Sequence, residues 1–309
     1  MTVLLCSDSK YGEDERDLLS GVKDIVEDIG PTNIDMIIEG ETGVGKDTLA
    51  RKIHEMSYRE GAFVAVNCAA IPETLMESEF FGVVSGAYTG EQKSRSGYIE
   101  ASQNGTLYLD EIDSMPLTLQ AKLLRVLESR EVERLGSTHF VPVDMRVIAS
   151  TKVPLEILVE KKRFRRDLYY RLNVVKIQLP SLRSNPDLIV PLFKRFVGEA
   201  NRKFSRQLSG FDDEIYLNLL IHDWPGNARE LKAAAERFVL GMPPVTGSGN
   251  ENNENEDKWT LKKRLEKVEK LWIENALVRH KGRMDNVVSE LCMPKRTLYY
   301  KMKKLKISH

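Results

Sequence analysis

Residues 34–48 read IDMIIEGETGVGKDT, and no other stretch restricts the fold as tightly. A short isoleucine-rich run stops at a glycine-rich turn, and the amphipathic segment KDTLARKIHEM follows. The run is too short for a buried helix and rich in β-branched residues, so it predicts a strand; the segment after the turn predicts a helix. Between them, Gly40 to Lys46 spell G-x-x-x-x-G-K, which in a strand–turn–helix setting makes a phosphate cradle. Gly40, Gly43 and Gly45 permit the tight turn that aims backbone N–H groups inward, and Glu41, Thr42 and Val44 complete the loop. The N-terminus of the helix adds its partial positive charge. Lys46 is placed to reach the β- and γ-phosphates of a bound nucleotide as a point charge. Asp47 stands where a Ser or Thr hydroxyl usually meets Mg²⁺, and its carboxylate is also a hard oxygen ligand. Thr48 is placed for the α-phosphate.

A hydrolysis site needs a second half, and GTLYLDEID, Gly105 to Asp113, has its form: apolar residues leading into paired acids at a strand end. Asp110 would hold Mg²⁺ through its water shell, and Glu111 would polarise the attacking water as general base. Read alone, the segment is an acidic turn after a core strand; the cradle upstream changes the balance. FVAVNC (63–68) and MRVIAST (145–151) are further strand candidates. Strands alternating with helices predict an α/β fold with a parallel sheet covered on both faces. Thr151 closes one of these strands and is a candidate sensor of the γ-phosphate. FRRDLYYRLNV (164–174) carries Arg165 and Arg171. Six residues apart in one helix they diverge by about 120°, so both aim at one phosphate only if the helix ends between them. Either is a candidate arginine finger for a neighbouring subunit's nucleotide, or both belong to a basic surface face. WPGNARELK (224–232) predicts a helix from near Ala228. Arg229 in its first turn opposes the helix dipole, which points to an anion partner.

Composition sets the domain plan. With 309 residues there is room for two or three domains. No apolar run approaches the roughly 18 residues that span a bilayer, so no membrane role is expected. The three cysteines and five histidines lack metal-ligand spacing, which suits a reducing cytoplasm. GMPPVTGSGNENNENEDK (241–258) has no apolar periodicity and reads as a linker. The expected division is an α/β core over 1–180, a helical subdomain over 181–240, a linker over 241–257 and a basic module over 258–309. The formal net charge is zero, yet 258–309 holds 15 Lys and Arg against 5 Asp and Glu, about +10, leaving about −10 elsewhere. A basic module on an acidic body points to nucleic acid.

In that module Leu261, Leu265, Val268 and Trp272 form a helical stripe fit for a partner helix. DNVVSELCMPKRTLYYKMKKLKI then reads as helix, turn, helix, with Pro294 opening the second. Leu298, Met302 and Leu305 share one face. Lys295, Arg296, Thr297, Tyr299, Tyr300 and Lys303 supply groups for a DNA groove. Lysines mostly meet phosphates, while Arg296 is suited to a guanine edge. A helical hairpin for oligomerisation is the alternative.

One stretch has no catalytic side chain: FFGVVSGAYTGEQKSRSG (80–97), where Gly86 and Gly90 bracket Ala87, Tyr88 and Thr89. Together with the cradle, the acidic pair and WPGN-R, it resembles the bacterial enhancer-binding proteins, AAA+ ATPases that activate sigma-54 RNA polymerase. Their loop motif reads GAFTGA; here Tyr88 replaces the Phe and Glu91 a small residue. The resemblance implies an AAA+ fold with a helical lid and a Fis-type helix-turn-helix. It implies a ring, a hexamer either homomeric or mixed with a related subunit, that hydrolyses ATP with Mg²⁺. It implies enhancer DNA and sigma-54 holoenzyme as partners, residues 86–90 being the moving sigma-54 contact. It also implies that Asn67 pairs with Glu111 and couples hydrolysis to loop position, that Arg165 and Arg171 are finger positions, and that Arg229 is a second sensor. Lys152 replaces the usual Asn after the sensor threonine, and Arg166 an acidic residue. Only 33 residues precede Ile34, as in the Hrp-type activators of plant-pathogenic pseudomonads, which suggests a role at type III secretion genes, with control by a separate regulatory protein or by expression level. Two rival readings use the same residues: a DNA-binding regulator with a vestigial ATPase, and an AAA+ remodeller of another target.

Overall fold

The computed structural model describes residues 2–3, 23–87, 93–208, 210, 213–245, 261–280, 282–305 and 307. The chain divides between Leu179 and Pro180 into two units. The first is built on a six-stranded sheet. Its order across the sheet is β1 (Thr2–Val3), β8 (Val175–Gln178), β2 (Met36–Glu39), β7 (Arg146–Thr151), β4 (Thr106–Asp110) and β3 (Phe63–Asn67). Every pairing in it is parallel. Parallel strands need crossovers, and crossover helices cover both faces. That is why every residue of β2 and β7 is buried.

Alternation along the strands sorts the sheet into two cores. Met36, Ile38, Tyr108, Ile148 and Ile177 face Leu49, Ala50 and Ile53 of α2 (Lys46–Glu55). Ile37, Leu107, Leu109, Val147 and Ala149 face Leu119, Leu123 and Leu127 of α5 (Leu117–Ser129) and Leu168 and Leu172 of α7 (Arg166–Leu172). Each fully buried aliphatic side chain contributes about 1.5–3 kcal/mol.

A buried carboxylate ties the strands' amino-terminal ends together. Asp35, 3% exposed, accepts the Val147 N–H on Oδ1 at 2.8 Å. Its Oδ2 accepts from Arg130 at 3.1 Å and from Arg171 at 2.9 Å. Arg171 also donates to the Leu127 carbonyl at 3.0 Å, and Arg130 to that of Met145 at 2.8 Å. Beside them the guanidinium of Arg146 is buried against the carbonyls of Ile29, Gly30 and Ile34. Burial lowers its pKa to about 10, so it remains charged at neutral pH.

An element not anticipated from sequence is the antiparallel hairpin β5 (Glu131–Glu133) and β6 (Phe140–Pro142). The chain leaving α3 (Glu73–Phe81) is stitched to it. Val83 bridges both Arg95 and Leu135. Val84 N–H donates to Leu135, and Leu135 N–H to Gly82. Gly136 sits at φ 79°, and a Cβ there would lie 2.6 Å from the Cβ of Ala87 and 3.1 Å from its Cα. The root of the Gly86 loop is therefore fixed against the hairpin.

The second unit is helical. α8 (Ile189–Phe204), α9 (Asp213–Ile221) and α10 (Asn227–Val239) close over Leu192, Phe193, Leu219, Trp224, Leu231 and Ala235. The Trp224 indole donates to the Leu219 carbonyl at 2.8 Å, so the largest ring leaves no polar group unmet. α11 (Leu261–Arg279), α12 (Met284–Glu290) and α13 (Lys295–Lys304) share a separate core of Ile273, Ala276, Leu277, Val287, Leu298 and Met302. Two residues of the expected stripe, Leu265 and Trp272, lie outside it, 52% and 39% exposed. The face that packs is instead Ile273–Ala276–Leu277.

Removing Asp35 leaves two guanidiniums and one strand N–H without their acceptor. Asp35→Ala is expected to cost about 3 kcal/mol, and Asp35→Asn, which keeps an acceptor, less. Urea unfolding followed by circular dichroism measures both; an unchanged midpoint in the alanine variant would contradict the role assigned to this carboxylate.

Candidate nucleotide site

Residues 40–48, Asn67, Asp110, Glu111 and Thr151 lie at the carboxyl ends of β2, β3, β4 and β7. Open α/β sheets bind ligands there, where the strand order reverses. β2 ends at Glu39, and the Gly40 N–H donates to the Thr151 carbonyl at 3.1 Å. The loop then turns through Gly43 and Gly45 at φ 79° and 102°, a region that costs an L side chain strain. Val44, buried between them, pins the loop to the α2 core. α2 starts at Lys46 behind Gly45, which offers no side-chain cap, so the first turn points its N–H groups toward the loop. The Lys46 ammonium lies over the loop, donating to the carbonyls of Gly40 at 2.7 Å and Glu41 at 3.0 Å. Thr48 is exposed. Asp47 is exposed too and pairs with Arg51 one turn on at 3.0 Å; Arg51 stacks over Phe63.

Register decides what surrounds Asp110. Asn67 lies abreast of Asp110, Leu109 abreast of Ala149, and Ser150 abreast of Ile38. The next row therefore runs Asn67, Asp110, Ser150, Ile38 on the α2 side. The Asn67 amide donates to Asp110 Oδ2 at 3.3 Å. Its own oxygen accepts the N–H groups of Ala69 and Ala70. The expected Asn67–Glu111 pair is thus replaced by Asn67–Asp110: parallel register puts the amide beside the strand residue, while Glu111 has left the strand. Glu111 sits at φ 52°, ψ 47°, left-handed for a non-glycine residue, where the chain swings into a 3-10 turn over Ile112–Ser114. Its carboxylate lies 3.8 Å from the Lys152 ammonium.

Thr151 faces away from that row. Its buried hydroxyl donates to the Val153 carbonyl at 2.7 Å and meets Asp113 at 3.2 Å. Its neighbour Ser150, passed over in the sequence reading, donates to Asp110, as does Tyr108. Burial raises the Tyr108 phenol well above its ordinary pKa, so it stays a neutral donor. Sequence spacing put a hydroxyl at the end of this strand but could not say which of two adjacent residues faced the acid.

The two finger candidates differ. α7 begins between them: Arg165 precedes the helix, exposed, with its guanidinium forked onto Asp167. Arg171 lies inside α7, bonded to Asp35 and Leu127 of its own chain. Arg229 is exposed in the first turn of α10. Gly86 and Ala87 are described, with Gly86 at φ 82°; Tyr88, Thr89 and Gly90 lie outside the described residues. Lys295, Arg296, Tyr299, Tyr300 and Lys303 are exposed on α13, Thr297 half-buried, and Lys295 pairs with Asp285 at 2.9 Å.

The donors suit a magnesium–triphosphate. Among the described residues no three His, Cys, Asp or Glu converge, and Mg²⁺ beside phosphates needs only one or two carboxylates and keeps its waters. Asp110, held at the strand end, and Asp47, in the first turn of α2, meet that need.

Comparison with known proteins follows this geometry. The family described as "Sigma-54 interaction domain" matches residues 14–178. The chain belongs to that family. In this sigma-54-dependent activator, "AAA+ ATPase lid domain" matches 183–245 and "Bacterial regulatory protein, Fis family" matches 264–305. It is 52% identical over 292 residues to the pathogenicity locus probable regulatory protein WtsA of Pantoea stewartii subsp. stewartii, covering 94% of this chain and 90% of the relative. It is 54% identical over 283 residues to HrpS of Pseudomonas savastanoi pv. phaseolicola, covering 92% and 93%. The crystal structure of NtrX from Brucella abortus in complex with ATP superposes with a TM-score of 0.74 at 29% identity, covering 99% of this chain and 70% of NtrX. The parallel-sheet AAA+ fold with lid and Fis-type helix-turn-helix is that of its relatives. No helix among the described residues is long and apolar enough to cross a membrane.

Behind the acidic row lies Cys68, whose thiol burial and the nearby Asp110, Asp113 and Glu111 push up to about 12. A thiol so placed stays protonated at working pH and unreactive. In a Cys6→Ser background, a thiol reagent at pH 8 is expected to modify one site of the native protein, the exposed Cys292, and a second only on unfolding. Prompt loss of two thiols would contradict the buried placement.

Proposed function

We propose that this activator hydrolyses ATP and uses the cycle to remodel sigma-54 RNA polymerase holoenzyme toward the open promoter complex. What carries the reading is the meeting, at one sheet edge, of a left-handed glycine cradle, the Lys46 ammonium, and the Asp110–Glu111 pair. ATP enters with its phosphates against residues 40–46, and Lys46 exchanges the Gly40 and Glu41 carbonyls for phosphate oxygens. Asp110 and Asp47 would hold magnesium, which when bound would neutralise charge on the phosphates. Asp47 leaves Arg51 to do so; an exposed pair of this kind contributes at most about 1 kcal/mol. Glu111 orients water and takes its proton, Asn67 steadies the acidic pair, and Thr151 fixes the turn that carries Glu111's neighbours. Arg229 is the second sensor of the nucleotide in this reading. Arg165 or Arg171 of a neighbouring protomer stabilises transition-state charge in a ring, a hexamer of this chain or of this chain with a related subunit. Among the described residues the Arg165 guanidinium bonds to the exposed Asp167, which leaves it freer to do so than Arg171.

Residues 86–90 form the sigma-54 contact, driven from the root clamped by Gly136. The basic module places α13 in the major groove of enhancer DNA, with Arg296 reading bases and Lys295, Thr297, Tyr299, Tyr300 and Lys303 meeting the backbone. Similarity to regulators of pathogenicity loci supports type III secretion genes as targets, with a regulatory protein acting in trans, in the cytoplasm.

Glu111→Ala is expected to abolish steady-state phosphate release while fluorescent ATP analogues still bind; retained turnover would assign the base elsewhere. On DNA fragments selected by the protein from a random pool, Arg296→Ala should weaken specific binding by about tenfold or more and relax one base position. Lys303→Ala should weaken specific and non-specific binding alike and reduce the salt slope by about 1. Anisotropy titrations at several salt concentrations separate the two; identical behaviour of both variants would remove the assigned division of labour.

A further inference from the structure

We propose that Ser150 is a positioning residue for Asp110, and that the hydroxyls of Ser150 and Tyr108 with the amide of Asn67 fix the orientation of this carboxylate at the end of β4. The inference rests on the reading that Asp110 holds magnesium. Three donors converge on one acid. Ser150 Oγ donates to Oδ1 at 2.5 Å, Tyr108 to the same oxygen at 3.3 Å, and Asn67 to Oδ2 at 3.3 Å. An ionised carboxylate offers about four lone-pair directions, two on each oxygen. Oδ1 has both directions met, and Oδ2 has one left. The open direction is on the oxygen beside β3, so the acid presents a single oxygen rather than a symmetric pair.

Distance ranks the three. Only the Ser150 contact lies in the range of a charge-assisted O–H···O⁻ bond, which is about twice as strong as a neutral one. The other two are long. Ser150 is also fully buried. Register fixes its place on the strand between Asp110 and Ile38. Groups that orient a metal-binding carboxylate alter metal affinity about 10–100-fold when removed. Thr151, one residue on, is on the other face and cannot substitute.

The test is the affinity of Mn²⁺, a spectroscopic stand-in for Mg²⁺, for the full chain with ADP, read by electron paramagnetic resonance. Fluorescent ADP binding in chelator is the control. Ser150→Ala is expected to weaken Mn²⁺ about tenfold or more with chelator-state ADP binding unchanged, and Ser150→Thr to restore it. Tyr108→Phe, which keeps the ring and the fold, is expected to weaken Mn²⁺ by a smaller factor. Wild-type Mn²⁺ affinity in Ser150→Ala, alongside its loss in Asp110→Asn, would overturn the proposal and leave Asp110's role standing. Unchanged affinity in Asp110→Asn would overturn both. Equal losses in Mn²⁺ and chelator-state ADP binding would show a structural effect and also overturn it.

Discussion

Lateral register in an all-parallel sheet is the constraint on which the site depends. Once Asn67 lies beside Asp110 and Leu109 beside Ala149, strand alternation fixes which side chains share the α2 face. The amide, the acid and the Ser150 hydroxyl fall in one row, and the phosphate loop leaves the neighbouring strand one residue later. A slip of one residue would send Asp110 to the α5 side and bring apolar Leu109 to the cradle. Continuous burial of β2 and β7 prevents that slip, because both faces are packed and each register error would misplace a whole set of apolar side chains. The hydrophobic layers on either side thus hold the polar edge in place.

What the sequence made legible were features carried by local spacing. The cradle needs only a strand, three glycines and a lysine within 13 residues of chain, 34–46, and the acids need only a strand end. What it concealed were choices settled by distant residues. Asn67 turns to Asp110 rather than Glu111 because of pairing 43 positions away. Arg171 looked like a free cation on a basic helix; its partner Asp35 is 136 positions back. Ser150 and Thr151 are adjacent hydroxyls of the same chemistry, and only the sheet tells their faces apart. The β5–β6 hairpin escaped notice because its strands are three residues each, too short to show alternation. In the basic module, periodicity chose Leu265 and Trp272, while packing uses Ile273, Ala276 and Leu277 one residue along the next turn.

Cations in this chain fall into two populations. Some are tied off internally: Arg146 on helix-end carbonyls, Arg130 and Arg171 on Asp35, Lys301 on Glu269 and Lys304 on Glu266. Others stand in solvent, among them Arg296 and Lys303 on α13 and Arg229 on α10. The tied group holds elements together: Lys301 and Lys304 fasten α13 to α11 through its acids, which leaves the opposite side of α13 to the exposed residues. Charge counting alone merges the two populations, although only the second is available to an external anion without breaking an internal bond.

The clamp between Gly136 and Ala87 has a bearing on descent. The two positions lie 49 residues apart in the chain, yet one methyl already fills the space they share. A lineage that enlarges residue 136 must strain a left-handed backbone and lift the neck of that loop off the hairpin, because the Ala87 Cα itself stands 3.1 Å from the added Cβ. Residue 136 is thereby held to glycine for as long as the loop keeps its neck on the hairpin, an inherited decision about who occupies one small volume.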